Sequence, residues 1–581
     1  MFRTNAKGAR ASMSSNNRHN PTTAPSSSPA ISRSAWITLL VISSVGLIPM
    51  YGETVIIPAI PDFIKEFGIT YTTSSWILAA FLIAGAVMTP IAGKLSDIYG
   101  KKKIVLIIMC IYTIGVALGG FASNISFMIF ARILQGIGIS MFPIAFGMLK
   151  LQFPKEKLSI AQGIFTGVFT AGSAIGLALG GTIIYHYGWH FALLSMVPAA
   201  IMLILIVRKF IHIKEEEEKK QQQLQQQPQQ QSKVQKSKLG TEYCCVFTKI
   251  GNEQEYFHHH HNSAADLSMH DDKNSNNLLQ KIDIKGAITL SVTIISFLMA
   301  LSYLENIHSL TMSDFMPTVI LSIVSIVSLT LFIIVERKIS AKVKAARKIP
   351  TSSSPSSSSS MAVPDSPLID LNLLANRIIL LNNISLMILG ITMFMVYQSI
   401  SVLVRTPMPL GFGGNAISAA NVQIPFTIII LVVSVSAGII ISKFGNVKPS
   451  LVGTIITAFG FFSLFLFHSS ELLISANLAV IAIGLTLTRI GNWNILLEYT
   501  PKDSIGISLG MTAMLFFVGM AIGPAIAGIY MQSNQISIIG SSLSFPSLQS
   551  YNMIFITAFF ISVVSIALML VLMKKMSNQG E

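Results

Sequence analysis

The sequence predicts an all-α polytopic membrane protein with about fourteen spanning helices. Three observations carry that prediction. Charged residues make up 11% of the 581 residues and hydrophobic ones 52%, whereas a soluble domain is about 25% charged. Apolar runs near the ~20 residues needed to cross a bilayer recur from end to end. Lysine and arginine collect in alternate connections between those runs, as the positive-inside rule requires.

In chain order, the first run extends from Trp36 to about Ile57. It follows a Ser/Asn/Pro-rich tail, residues 1–35, carrying Arg3, Lys7, Arg10, Arg18 and Arg33. That composition is too polar to bury a core, so a disordered cytoplasmic tail is expected, and no cleavable signal peptide is evident. Further spans are expected near 72–93, 104–122, 126–149, 160–184 and 191–209, which completes a six-helix half over 36–209. Residues 210–283 form a polar insert with Glu215 to Glu218, a glutamine tract and His258 to His261. Two more spans, near 285–305 and 315–336, make a separate unit over 284–336, and a basic, then Ser/Pro-rich, linker occupies 337–371. Spans near 378–403, 419–442, 449–468, 473–496, 506–531 and 551–573 make a second six-helix half over 372–573, before a tail of 574–581.

Topology tests this count. With the N-terminus inside, Lys101 to Lys103, Lys155, Lys157, Arg337 to Arg347, Lys443, Lys448, Lys502, Lys574 and Lys575 all fall on the cytoplasmic side. The expected outer loops hold only Lys65 and Arg405. One span more or fewer would scramble this bias, so both termini are expected in the cytoplasm of a cell (plasma) membrane protein. The net charge of +15 is explained by these loops and does not call for a nucleic-acid partner. The lipid bilayer and a small-molecule substrate are the expected partners, with a monomer as the functional unit.

The loop Gly93-Lys94-Leu95-Ser96-Asp97-Ile98-Tyr99-Gly100-Lys101-Lys102-Lys103 separates the second and third runs. Asp97 and three lysines cannot remain in hydrocarbon, while Gly93 and Gly100 permit close helix approach and a sharp reversal. The pattern Gly-x-Leu-x-Asp-x-x-Gly-[Arg/Lys]-[Arg/Lys] resembles the signature loop of the major facilitator superfamily, and the plainer alternative is a generic basic turn. An echo appears at Gly438 to Gly445, with Ser442 in place of the acid. A second echo relates Gly519 to Pro524 to Gly172 to Leu177. The resemblance implies a major facilitator fold of two six-helix halves around a midplane cavity. The two extra central helices make the chain similar to the fourteen-span drug:proton antiporter family.

Further motifs support that resemblance. Glu53 is the sole acid of the first span, and Glu53-Thr54-Val55-Ile56-Ile57-Pro58-Ala59-Ile60-Pro61 partly matches the family's Leu-Asp-x-Thr-x-x-x-x-Ala-Leu-Pro. An acid in a dry cavity can exchange a proton as access alternates; at the outer membrane edge it would only touch headgroups. Arg132-Ile133-Leu134-Gln135-Gly136-Ile137-Gly138 resembles the family's Arg-x-x-x-Gly-x-Gly. Glu53 and Arg132 are therefore the proton-coupling candidates, with snorkelling of Arg132 to the interface as the alternative. Gly93, Asp97, Gly100 and Lys101 form a candidate conformational-switch loop.

Gly172, Gly176, Gly180 and Gly181 resemble the antiporter signature of the fifth span, with Leu177 where proline is expected. Close helix packing alone is the other account. Gly188-Trp189-His190-Phe191 resembles the segment that opens the sixth span, Trp189 serving there as an interfacial anchor. Gln135, Gln398, Gln423, Arg489 and Asn492 are polar residues inside spans and candidates to line the cavity. Arg489 suggests a substrate of some anionic or polar character.

The three cysteines, Cys110, Cys244 and Cys245, imply no disulfide framework. His258 to His261 fit no metal-site spacing, and no phosphate-binding Gly-x-x-x-x-Gly-Lys-[Ser/Thr] loop occurs. No metal or cofactor is expected, which leaves a proton gradient as the energy source. Glu498, His186, His308 and His468 do not cluster as an enzyme's paired acids or ligands would. The sequence therefore points to a non-enzymatic secondary transporter, exporting a lipophilic small molecule or drug by proton antiport and alternating access. Metabolite uptake or facilitated diffusion remains open, as does a non-transporting receptor or membrane enzyme.

Overall fold

The computed structural model describes residues 33–153, 155–211, 283–304, 312–347, 369, 371–501, 505–537 and 544–578. The glutamine/histidine insert with Cys244 and Cys245, most of the basic linker and the N-terminal tail lie outside the described residues.

The helices are α1 (Arg33–Thr54), α2 (Ile60–Phe67), α3 (Tyr71–Tyr99), α4 (Lys101–Gly120), α5 (Ile125–Gly136), α6 (Met141–Gln152), α7 (Lys155–Leu194), α8 (Met196–Phe210), α9 (Ile284–Tyr303), α10 (Met312–Arg347), α11 (Leu371–Ala375), α12 (Arg377–Arg405), α13 (Ala416–Phe444), α14 (Val447–Leu466), α15 (Glu471–Tyr499), α16 (Ile505–Ser533) and α17 (Leu548–Ser577). Between α16 and α17, β1 (Gln535–Ser537) pairs antiparallel with β2 (Ser544–Pro546), a short hairpin that span-length arithmetic does not detect.

Among the described residues, 13 helical stretches are long and apolar enough to cross a bilayer. One of them, Gly163–Phe210, has 48 residues, far beyond a single crossing. It is broken at Gly188, where φ is 81° and ψ 167°. That left-handed-side backbone favours glycine and turns the chain without a loop, so this stretch supplies both the fifth and the sixth span. A second turn of the same kind joins α3 to α4 at Gly100, with φ 94°.

Small residues set the packing within each half. In α7, a Cβ on Gly172 would collide with the Leu47 carbonyl, one on Gly176 would meet the Tyr51 carbonyl at 2.6 Å, and one on Gly180 the Val55 carbonyl at 2.6 Å. The glycine face of α7 therefore lies directly on α1. In the second half, Gly519 and Gly523 of α16 bear in the same way on the Met387 and Ile391 carbonyls of α12. The sequence echo is thus also a packing echo. Gly181 points elsewhere, toward Ala416 and Ala420 of α13, so it belongs to the seam between halves. Gly93 does not make the close approach expected of it. A Cβ there would meet nothing within 4 Å among the described residues, and the same holds at Gly163, Gly167 and Gly438.

The seam is closed at one end. Arg405, at the end of α12, grips Asp62 of α2 through two hydrogen bonds of 2.6 and 2.7 Å and also donates to the Pro58 carbonyl at 2.6 Å. Nearby, Ser75 of α3 donates to the Pro524 carbonyl at 2.8 Å and the Tyr71 amide donates to Gln532 at 3.1 Å. The end bearing Lys101 has open space beside Gly93, Gly163, Gly167 and Gly438. The pair α9–α10 sits outside both halves. α9 packs on α3 and α16, with the Trp76 indole donating to Ser302 at 3.0 Å, while α10 turns Ile320, Ile323, Ile326, Val327 and Leu331 outward.

Two outcomes follow from this packing. Gly176→Ala should cost about 1–3 kcal/mol through overpacking and lower the unfolding temperature in detergent, whereas Gly163→Ala should leave it unchanged. Asp62→Asn should loosen the closed end. In a background lacking Cys110, Cys244 and Cys245, a cysteine placed at Ala416 should then react several-fold faster with an impermeant thiol reagent.

Candidate functional site

Arg132 lies on α5 and is completely buried. The cost of a sealed charge is several kcal/mol unless its donors are satisfied, and here two of the three guanidinium nitrogens are, Nη2 being left without a partner. Its Nε donates to the Ile77 carbonyl of α3 at 2.9 Å, and Nη1 donates to the Gly52 carbonyl of α1 at 3.1 Å and to Gln135 Oε1 at 2.7 Å. Gln135 passes the link on, its Nε2 donating to the Gly115 carbonyl of α4 at 2.9 Å. The guanidinium also lies over the Phe81 ring, 4.2 Å from its centroid. The chain continues from α5 into a 3₁₀ turn, Ile137–Ser140, a break within the fourth span that the hydrophobic run concealed. Gly136 sits against the Phe81 backbone and Gly138 against the Tyr112 ring, where a Cβ would come within 2.5 Å.

Glu53 is 2% exposed, beside the Gly52 carbonyl that Arg132 holds. It does not sit at a headgroup-facing edge. Nor does it form an ion pair with Arg132, because no contact within 4.0 Å joins them and Glu53 Oε1 has no hydrogen-bond partner. The two are within electrostatic reach of each other, and Tyr397 of α12, whose hydroxyl also lacks a partner, is within reach of Glu53. Carboxyl group, guanidinium and phenol thus lie within electrostatic reach, though not in contact, where the two halves adjoin. Tyr397 was not singled out from sequence, since a tyrosine in an apolar run carries no signal of its own.

The remaining polar candidates divide. Gln135, Gln398, Gln423 and Asn492 are 0% exposed and packed between helices in this structure. Gln398 donates to Ser75 across the seam at 3.3 Å, Gln423 donates to Ser401 at 2.7 Å, and Asn492 donates to Ser385 at 3.1 Å. These bonds join helices, while Gln398 Oε1, Gln423 Oε1 and Asn492 Oδ1 are left without a partner. Arg489 of α15 differs, being only half-buried and having no hydrogen bond or ion pair among the described residues. Trp493, one turn on, packs on Phe142 of α6 with centroids 6.3 Å apart.

Trp189 is turned inward and not anchored at the interface. It is 3% exposed, donates to Glu66 at 2.7 Å and packs on Phe63 with centroids 4.8 Å apart. The Asp62–Arg405 clamp was also missed, although Arg405 stood out as one of two cations on the expected outer face. Asn382, buried with neither amide atom partnered, gave no sequence signal either.

The fold, the paired halves and the Arg132 network can be set beside known proteins. The sequence profile of the Major Facilitator Superfamily matches residues 42–423 and 284–524. The chain belongs to the Major Facilitator Superfamily. Among superfamily relatives, multidrug resistance protein 3 of Bacillus subtilis (strain 168) is 34% identical over 160 residues, 27% of this chain and 31% of that protein. The multidrug transporter protein MdtP of the same organism is 22% identical over 494 residues, covering 84% of this chain and 74% of MdtP. The first relatives found are matched over only about a third of their own length, 32% and 31%. The crystal structure of the human organic anion transporter MFSD10 (TETRAN) superposes with a TM-score of 0.52 at 12% identity, covering 92% of this chain and 99% of that one, which is a likeness of fold.

Removing the Gln135 relay should destabilise the first half. Gln135→Leu removes the acceptor of a buried Arg132 donor and the tie from α5 to α4, a loss of about 1–3 kcal/mol. A lower thermal unfolding midpoint of purified protein in detergent is the expected result.

Proposed function

We propose that the chain is a secondary active transporter that exports a lipophilic small molecule across the plasma membrane in exchange for protons, by alternating access. The observation that carries this is Glu53, a carboxyl group sealed in the first span with an oxygen that no protein group satisfies. A buried acid held near a cation, yet not tied to it, can be occupied by a proton in one state and released in the other. Arg132 is held by backbone carbonyls, including that of Gly52 next to Glu53, and by Gln135, so the cation stays near the carboxyl group while access to it alternates. The multidrug names borne by relatives support export.

The lysine-bearing end is assigned to the cytoplasm, which makes this an arrangement open inward and closed outward by Arg405 and Asp62. Gly93, Asp97, Gly100 and Lys101 would form the reciprocal contact when the inward side closes. Gly172, Gly176 and Gly180 would couple α7 to the helix that carries Glu53. The proton gradient is the energy source, no cofactor or metal takes part, no enzymatic step is involved, and one chain suffices.

The test is transport against an imposed pH gradient in proteoliposomes. Glu53→Gln should abolish concentrative export while leaving membrane insertion intact, and Glu53→Asp should retain part of it. Concentrative export by Glu53→Gln equal to the parent would remove Glu53 from the coupling role.

A further inference from the structure

We infer that the cavity between the halves takes amphipathic organic anions, with Arg489 receiving the anionic group and the Trp493–Phe142 strip its aromatic or apolar body. This rests on the chain being a transporter and adds the substrate class.

The two arginines within spans make the case by contrast. Arg132 is sealed and has acceptors from α1, α3 and its own helix. Arg489 is held in a spanning helix, yet it keeps accessible surface and has no hydrogen bond or ion pair among the described residues. An intramembrane cation is expensive and ordinarily pairs with an acid or with carbonyls. A guanidinium left with its fork unfilled matches a carboxylate, sulfonate or phosphate that arrives from outside the chain.

Its surroundings say what the rest of that molecule resembles. Arg489 and Trp493 are one turn apart on α15, on the same strip of the helix. Trp493 meets Phe142, which packs in turn on Phe146 and Phe169, each with centroids 4.9 Å away, and on Phe165 at 5.6 Å. All of these rings except Phe165 are half-buried. Gly163, Gly167 and Gly438, at the same end of the seam, face open space among the described residues. A cation on one half thus stands beside an aromatic surface that continues onto the other, at the lysine-bearing end of the seam. No carboxylate of the described residues lies within ion-pair distance of Arg489, so a cationic solute would meet an uncompensated like charge there.

The experiment uses three solutes of one shape: naphthalene-2-carboxylate, naphthalene-2-carboxamide and 2-naphthylmethylammonium. Binding to the detergent-solubilised full chain is measured by equilibrium dialysis. The carboxylate should bind at least tenfold more tightly than the other two. Arg489→Gln should erase that preference while the carboxamide affinity stays unchanged, Arg489→Lys should keep part of it, and Trp493→Ala should weaken all three solutes alike. The unfolding temperature of Arg489→Gln should equal or exceed the parent's, since no protein group loses a partner; a fall would mark a structural arginine and overturn the assignment. Equal affinities, a preference for the ammonium compound, or no binding of the carboxylate would also overturn it. Counterflow in proteoliposomes separates the two levels. Arg489-dependent binding without movement of the carboxylate would defeat the transporter reading and leave the anion site standing. Movement of the ammonium compound without carboxylate binding would do the reverse.

Discussion

A guanidinium shut away from water must be solvated by protein, and in the first half of this molecule much of the packing answers to that demand. Arg132 draws its acceptors from the Gly52 carbonyl of α1, the Ile77 carbonyl of α3 and Gln135 on its own helix. Gln135 extends the hold to α4. Four helices are thereby fixed about one charge. The glycine at 136 and the 3₁₀ turn that follows allow the chain to come this close without collision. Removing the charge would cut the hydrogen bonds that tie α5 to α1 and α3 and leave Gln135 Oε1 without its donor, so this group cannot be exchanged for an apolar one without consequence.

The two kinds of interface differ in what they permit. Within each half, helix backbones touch through glycines, at Gly172, Gly176 and Gly180 on α1 and at Gly519 and Gly523 on α12. Such contacts have no slack and make each half a rigid body. Across the seam glycines also meet backbone, Gly181 at Ala416 and Gly528 at Tyr71 and Thr72, but the closed end adds separable polar contacts, Arg405 to Asp62, Ser75 to Pro524 and Gln398 to Ser75. Contacts of that kind can break and re-form as units, the property needed for one body to rock on another.

Span positions, the paired halves and the turn at Gly100 were legible because they rest on local properties: apolar run length, basic loops and glycine spacing. Arg132 and Glu53 were legible as anomalies, since charge inside an apolar run has few explanations. What lay hidden were contacts made in three dimensions by ordinary residues. Tyr397 reaches the neighbourhood of Glu53 from the other half, and Asp62 finds Arg405 across more than three hundred positions of sequence. The buried amides show the limit of that signal. Polarity within a span marks Gln398, Gln423 and Asn492 as unusual but does not distinguish a cavity wall from an interhelical hydrogen bond. Trp189 was misplaced for a similar reason, because its position near the end of a span suggests an interface while its partners Phe63 and Glu66 pull it inward.

The position of the extra helix pair makes the two flanks of the protein unequal. α9 lies along the junction of α3 and α16, with α10 outside it and turned to the lipid. The opposite junction, α7 with α13, is covered by no described helix. One flank of the protein is therefore two helices deep at its seam, and the other only one.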